Sequence, residues 1–327
     1  MKLALALLLL ASCAALAATE EQIQKSFQAA PGGSLVVEVN YGSIDVATGA
    51  TEEVTVDAWR RITRRNKADE EQYLRENPIQ FLREGDTITV RCREKATQKR
   101  RWFSWVFRQD RNEAKYTIRV PARFNATLNT SGDAITVSDL TGDVKARTSG
   151  GPLRFNNLHG PLDGRTSGGG IRVSDCEGAI QLRTSGGRIE VADGGGSLDG
   201  HTSGGGITVK TFGGPVSVGT SGGGITVENV KGSIKARTSG GSVNASLLLP
   251  VPGDVTLSTS GGGVTVKAPE GAAFDLDAKT SGGGVSTDFP VTIQGSIQRS
   301  ALKGAVNGGG PEVQLRTSGG GIHVKKL

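Results

Sequence analysis

An all-β solenoid is the fold this sequence predicts, built from stacked coils of about 18 residues with two short strands per coil. Three observations predict it. The triplet TSG begins at Thr130, Thr148, Thr166, Thr184, Thr202, Thr220 and Thr238, always 18 residues apart, then at Thr259 and Thr280 after steps of 21, and finally at Thr317. Each copy leads into short apolar alternations, as in TSGGGITV at Thr202 and again at Thr220. Glycine is 49 of 327 residues and aromatics only 5%, which suits a thin aliphatic core with many tight corners. Ten copies are well beyond the roughly three repeats needed to bury a continuous core.

The chain opens with MKLALALLLLASCAALAATEE. Lys2, the apolar run Leu3 to Leu10 and the small-residue site Ala15-Leu16-Ala17 read as a secretory signal over residues 1–17. The run is too short to span a bilayer as a helix. Leu10-Ala11-Ser12-Cys13 also has the form of a lipobox, in which residues 1–12 would leave and Cys13 would carry a lipid. Both readings predict export, to the periplasm, the medium or the envelope as a lipoprotein, and no transmembrane span in the mature chain.

Residues 18–125 read as a β-rich N-terminal region with one short helix. Ser34 to Ala58 alternates in strand fashion, and Asn40 to Val46 is a worn copy of the repeat phrase. Lys67 to Leu74 suits a short helix, Ile79 to Cys92 a hairpin around Arg83-Glu84-Gly85-Asp86, and Tyr116 to Val120 a strand stopped by Pro121. Between them lies KRRWFSWVFRQDR, which interleaves Lys99, Arg100, Arg101, Arg108 and Arg111 with Trp102, Phe103, Trp105 and Phe107. From Ala58 to Lys115 there are 16 Lys and Arg against 9 Asp and Glu, a surplus larger than the +6 of the whole chain. Basic residues among aromatics suit an anionic surface. The same segment would also serve as an aromatic cap with its charges in water. Lys99, Arg100, Arg101, Trp102, Trp105, Arg108 and Arg111 are therefore the candidate binding surface.

Residues 126–327 are expected to form the solenoid, with residues 287–327 as its capping segment. One coil, TSGGGIRVSDCEGAIQLR from Thr166, holds two alternations, Ile171-x-Val173 and Ile180-x-Leu182, separated by Gly and Asx residues that accept turn geometry. Stacking places Ile135, Leu153, Ile171, Ile189, Ile207, Ile225 and Val243 in one inward column, and Val144, Leu162, Ile180, Leu198, Val216 and Ile234 in another. Bulky Phe155 shares its coil with Gly164, as a fixed core volume requires. Cys176 falls in a column with Leu140, Leu158, Phe212 and Val230, and Cys92 continues Ile88-x-Val90, so both read as buried small hydrophobes rather than as a disulfide.

Two polar columns flank the repeat. The residue before each TSG is basic at Arg147, Arg165, Arg183, Arg237 and Arg316, a candidate basic ridge that either meets an acidic partner or is balanced by Asp163, Asp199 and Glu177. The Thr column reads as a hydroxyl ladder serving the corners. Asp139, Asp175 and Asp193, with Asn157 and Asn229, recur at the other corner, where turn geometry accounts for them.

The strand phrase Tyr41-Gly42-Ser43-Ile44-Asp45-Val46, the stacked TSGGxIxV phrases and the ending from Phe289 to Lys326 resemble the bacterial putative-adhesin family, a domain-of-unknown-function family of exported β-strand-repeat proteins. The resemblance implies a β-solenoid on the extracytoplasmic side and brings no catalytic or ligand-binding residues with it. Lys99 to Arg111 departs from a plain repeat.

Nothing in the sequence assembles catalytic chemistry. His159, His201 and His323 lie far apart in coil number, and no carboxylate pair, triad or metal-ligand spacing emerges. Calcium-binding rolls share the coil length but use G-G-x-G-x-D, whereas here the glycines run into Ile-x-Val. The expectation is a non-enzymatic structural or adhesin-like module without cofactor or metal. The runner-up is a peripheral binder of an anionic envelope polymer or lipid surface through residues 99–111. The partner classes are an anionic glycan, a lipid or another envelope protein; nucleic acid is disfavoured for an exported chain.

Overall fold

The computed structural model describes residues 18–50, 52–93, 110–293 and 298–327. The leader with Cys13 and the stretch from Lys99 to Arg108 lie outside the described residues.

The body is a two-row parallel stack. In the first row Leu153 pairs with Ile135 on one side and Ile171 on the other, and the register continues through Ile189, Ile207, Ile225, Val243 and Val264. In the second row Val144, Leu162, Ile180, Leu198, Val216, Ile234 and Val255 follow one another. Both inward columns are buried throughout. The 18-residue period thus appears as a rung-to-rung register, in which every coil is the hydrogen-bonding template for the next.

Core volume is conserved locally. A Cβ at Gly164 would lie 3.0 Å from the Phe155 ring. The Cys176 column has its own gap at Gly194, and the neighbouring Phe212 ring fills it, 2.8 Å from where a Cβ would stand. Large and small residues compensate within the same slice, as close packing demands. Cys92 and Cys176 are buried free thiols, and burial pushes the Cys176 thiol up to about 11.

Both ends depart from chain order. At the N-terminal end Ser34–Val39 and Ser43–Thr48 form a coil that stacks directly on the body, with Ile44 opposite Ile135 and Leu35 opposite Ala126. The parallel ladder therefore runs across residue 125 without a break. A later segment, Thr87–Cys92 and Arg111–Val120, forms the coil outside it. Antiparallel strands then close this end: Gln80–Glu84 on Thr87–Cys92, Glu53–Thr63 on Arg111–Val120, and Thr19–Gln28 outermost. The helix Lys67–Glu76 starts at Asn66, whose side chain accepts from the Asp69 amide at 2.9 Å, an ordinary N-cap.

The other end repeats this departure from chain order. The C-terminal coil, Glu312–Thr317 and Ile322–Lys326, is not outermost. It sits between the coil Val255–Thr259 with Val264–Ala268 and the coil Phe274–Thr280 with Val285–Thr287. The antiparallel strand Ala301–Val306 covers the free edge of Phe274–Thr280 and is joined by Val291–Thr292. Among the described residues of 287–327, then, the strands Val291–Thr292 and Ala301–Val306 cap, while residues 312–326 are an interior rung. Edges covered by antiparallel strands are protected against further pairing.

Candidate functional site

The polar columns of the repeat are used by the stack itself. Thr166, Thr184, Thr202 and Thr220 are buried. Their hydroxyls donate to the carbonyls of Gly151, Gly169, Gly187 and Gly205 in the preceding coil at 2.8–2.9 Å. Three of the same hydroxyls receive the amides of Gly169, Gly187 and Gly205 at 3.3–3.4 Å. Each Thr thus ties its own corner to the one below. The corner glycines allow this contact: a Cβ on Gly205 would collide with the Gly187 carbonyl.

At the opposite corner Asp139, Asn157, Asp175, Asp193 and Asn229 all take left-handed φ between 51° and 58°. Asx residues tolerate that region by bonding locally, so their recurrence needs no ligand. Thr211 holds the same corner at φ 52°, which strains a β-branched side chain.

The residues of the basic column follow one another in register. Arg147, Arg165 and Arg183 are successive Cα partners, followed by His201, Gly219 and Arg237. It is largely balanced rather than free. Asp163 lies between Arg147 at 3.7 Å and Arg165 at 2.9 Å, and Asp199 between Arg183 at 2.6 Å and His201 at 2.9 Å. Arg316 meets Asp277 at 2.7 Å. Glu177 does not serve the file, because it pairs with His159 at 3.5 Å on another face. Arg237 alone of the five arginines has no ion pair among the described residues. Among those residues no group of three or more His, Cys, Asp and Glu side chains could hold a metal.

The sequence reading missed a buried polar cluster at the N-terminal end. Arg60 is 1% exposed. Its guanidinium donates to Glu21 Oε2 at 2.6 Å, to the Asn77 carbonyl at 2.6 Å and to the Leu74 carbonyl at 3.5 Å, and lies 4.0 Å from Cys92 Sγ. It therefore clamps the helix C-terminus to the outer strands, where a cation is favoured. The signal was present: Val54, Val56, Ala58, Arg60 and Ile62 share one strand face. Glu70 receives the Thr19 amide at 3.0 Å, the Thr19 hydroxyl at 2.6 Å and the Arg64 amide at 2.9 Å. Burial pushes its carboxyl up, but the bonds from Thr19 and Arg64 outweigh that and hold it below the usual carboxylate range. Burial likewise pushes the Tyr116 hydroxyl far above its ordinary value.

The described flanks of the basic–aromatic stretch fix where it departs from the stack. Cys92 is the Cα partner of Val39, and Lys115 that of Ser43. The chain thus leaves the outermost coil after Cys92 and its described part rejoins that coil at Lys115, on either side of the corner that residues 40–42 make in the next coil. Of the candidate surface, Arg111 is described; it is exposed and opens the strand Arg111–Val120.

A family model described as Toastrack DUF4097 matches residues 33–325. The chain belongs to this Toastrack family. The match begins just before the coil Ser34–Thr48 and includes the closing rungs. Solved structures similar to this Toastrack chain include a putative adhesin from Parabacteroides distasonis, at 11% identity over 94% of this chain and 97% of that one, with TM-score 0.35. A putative adhesin from Parabacteroides merdae has 11% identity over 94% and 96%, with TM-score 0.32. A putative lipid binding protein from Parabacteroides distasonis has 10% identity over 94% and 96%, with TM-score 0.27. No curated protein matches the chain. Among the described residues of the Toastrack chain, no helix is long and apolar enough to cross a membrane.

Proposed function

We propose that this Toastrack protein is a non-enzymatic, extracytoplasmic module of the bacterial cell envelope with a structural or adhesin-like role. The observation that carries this reading is the use of its polar side chains. The Thr hydroxyls, the corner Asx residues and most of the basic file satisfy the stack, where an enzyme would aim such groups into a cleft. The histidines are dispersed, His159 toward Glu177 and His201 toward Asp199. A rigid rod whose chemistry is spent on its own order suits display and spacing.

A second reading has its own support. The described strands Thr87–Cys92 and Arg111–Val120 lie in the coil nearest the N-terminal end, and the candidate surface Lys99 to Arg111 belongs to the sequence that joins them. A basic and aromatic segment presented at a tip would hold an anionic glycan or a lipid surface, with the solenoid as scaffold. Salt separates the two readings, because attraction between exposed charges fades as the screening length shortens.

The test is co-sedimentation of the mature protein with isolated bacterial envelopes across a salt series, beside a variant with Lys99, Arg100 and Arg101 changed to Ser. Salt-resistant binding by both proteins supports the adhesin-like rod. Binding by the wild type alone, released by salt, supports the tip. Absence of binding by either overturns both.

A further inference from the structure

The outward positions of the second row form two files. The basic file runs Arg165, Arg183, His201, Gly219 and Arg237, and the file two residues before it runs Asp163, Gln181, Asp199, Ser217 and Lys235. Where this earlier file holds an acid, it serves the cations beside it: Asp163 meets Arg147 and Arg165, and Asp199 meets Arg183 and His201. On the strand Ile234–Thr238 a lysine stands in the acid's position. Lys235 and Arg237 are both exposed, with Ser217 and Gly219 as Cα partners on one side and Thr256 and Ser258 on the other. Neither has an ion pair among the described residues. The nearest acids along the row are engaged: Asp199 in the pairs above, and Asp254 with the Glu312 amide at 3.0 Å.

Gly219 interrupts the basic file and leaves a shallow recess between His201 and Arg237, whose Cα atoms stand two rungs apart, about 10 Å. The His201 ring leans into it. Its Nδ1 faces Asp199 at 2.9 Å, and a Cβ on Gly219 would lie 3.2 Å from its Nε2. The chemistry of the surface selects a ligand. Two like charges side by side on a strand repel, and an anion shared between them removes that cost. The parallel ladders on both sides take up the strand's amides, so no amide cradle of the kind that grips a phosphate is formed. The guanidinium fork matches a planar carboxylate. The hydroxyls of Ser217, Thr256 and Ser258 both donate and accept, as the hydroxyls of a sugar do. The face is a flat sheet, across which a polymer can lie.

We propose that the face around Lys235 and Arg237, with Gly219 as its floor and His201 at its edge, is a binding site for a carboxylated glycan. Arg237 and Lys235 take the carboxylate, and Ser217, Thr256 and Ser258 take neighbouring sugar hydroxyls. The site lies on the wall of the rod rather than at an end. It goes beyond both readings above, because a soluble acidic oligosaccharide engages it whether or not the rod adheres to envelopes.

The experiment is fluorescence anisotropy of a labelled tetragalacturonate titrated with the full mature chain at low ionic strength. The expected result is saturable binding at a single site per chain, absent for the fully methyl-esterified tetrasaccharide. Lys235→Asp restores the acid and gives Arg237 a partner, so it should weaken binding at least about 10-fold. It should not lower the melting temperature, since it relieves the repulsion between the two cations, and loss of binding then cannot come from unfolding. Arg237→Lys keeps the charge but loses the fork and should weaken binding about 3-fold. Lys145→Ser should bind as the wild type does, because Lys145 already has Asp163 as its Cα partner. Failure of the tetragalacturonate to bind, equal binding by Lys235→Asp, equal loss in Lys145→Ser, binding of the methyl ester, or displacement by an equal concentration of inorganic phosphate overturns the proposal.

Discussion

The middle of the rod and its two ends are made of the same rungs but assembled by different rules. From Thr130 to Thr259 chain order and stacking order coincide, and each coil is laid on the one just finished. At the ends they part. Residues 34–48 lie inside the strands Thr87–Cys92 and Arg111–Val120, and residues 312–326 lie inside residues 274–287. The outermost rung at each end then carries the antiparallel strands that close it. A repeat phrase therefore specifies how a coil fits its neighbour without specifying which coil that neighbour is. The ends use this freedom to tuck a repeat-like coil inward and leave irregular strands at the edges, where open ladders invite aggregation.

The sharpest way to break the contrast is to open the same kind of hole in both regions. Phe155 lies in the middle, buried against Gly164. Phe289 lies at the C-terminal end, edge-on to Phe274 at 5.9 Å between centroids. Phe155→Ala should cost about 3–5 kcal/mol in equilibrium denaturation, as large-to-small changes of an aromatic do in a close-packed core. Phe289→Ala should cost less globally and act locally, by raising hydrogen exchange in residues 274–306, because rungs at an end open on their own. If both variants lower the whole transition equally, the rod unfolds as one unit and the contrast fails.

Next in size is the Thr ladder. Thr202→Val keeps shape but removes the donor to the Gly187 carbonyl and the acceptor for the Gly205 amide. Leaving such buried groups unmet costs about 1–3 kcal/mol. Thr202→Ser should recover most of that loss, since it restores the hydroxyl. A chemical denaturation series of the three proteins checks the order. Thr317→Val, on the C-terminal rung, should show its loss mainly as faster hydrogen exchange of residues 312–326.

How much of this was legible follows the same division. The coil length, the inward columns, the helix near Lys67, the hairpin at Gly85 and the buried thiols all follow from local period and turn chemistry. So does the corner role of Thr and Asx. The order of the end rungs was hidden for a physical reason: TSGGG at Thr280 and at Thr317 are the same words, and both fit Thr259 to Gly263. Balance of the basic file was half legible, because Asp163 and Asp199 sit two residues before Arg165 and His201 and alternate to the same face. The Arg60 clamp was legible only as an out-of-place cation in an apolar alternation, since its partners Asn77 and Leu74 come from a helix whose docking no local pattern fixes.

The smallest expected effect is acid sensitivity confined to the ends. Asp277 and Glu70 fasten the two ends, and both are held below their ordinary range. For Asp277 the Arg316 hydrogen bond is the chief cause; for Glu70 bonds from Thr19 and Arg64 overcome burial. A carboxyl depressed in the folded state contributes its stabilisation in full above the unfolded value, near pH 4 for these side chains. It loses that contribution as pH falls through the lower, folded value. The Asp277–Arg316 contact is expected to be worth about 0.2–1 kcal/mol, given its partly exposed partners. Native-state hydrogen exchange between pH 6 and pH 3, corrected for intrinsic rates, should therefore lose protection first in residues 312–326 and 19–28. The rungs from Leu153 to Val243 should hold. Asp277→Asn should remove the pH dependence at the C-terminal end alone, and Glu70→Gln at the N-terminal end alone. Uniform loss along the rod would mean that the ends are no softer than the middle, and that the inverted stacking order seals them as firmly as any interior rung.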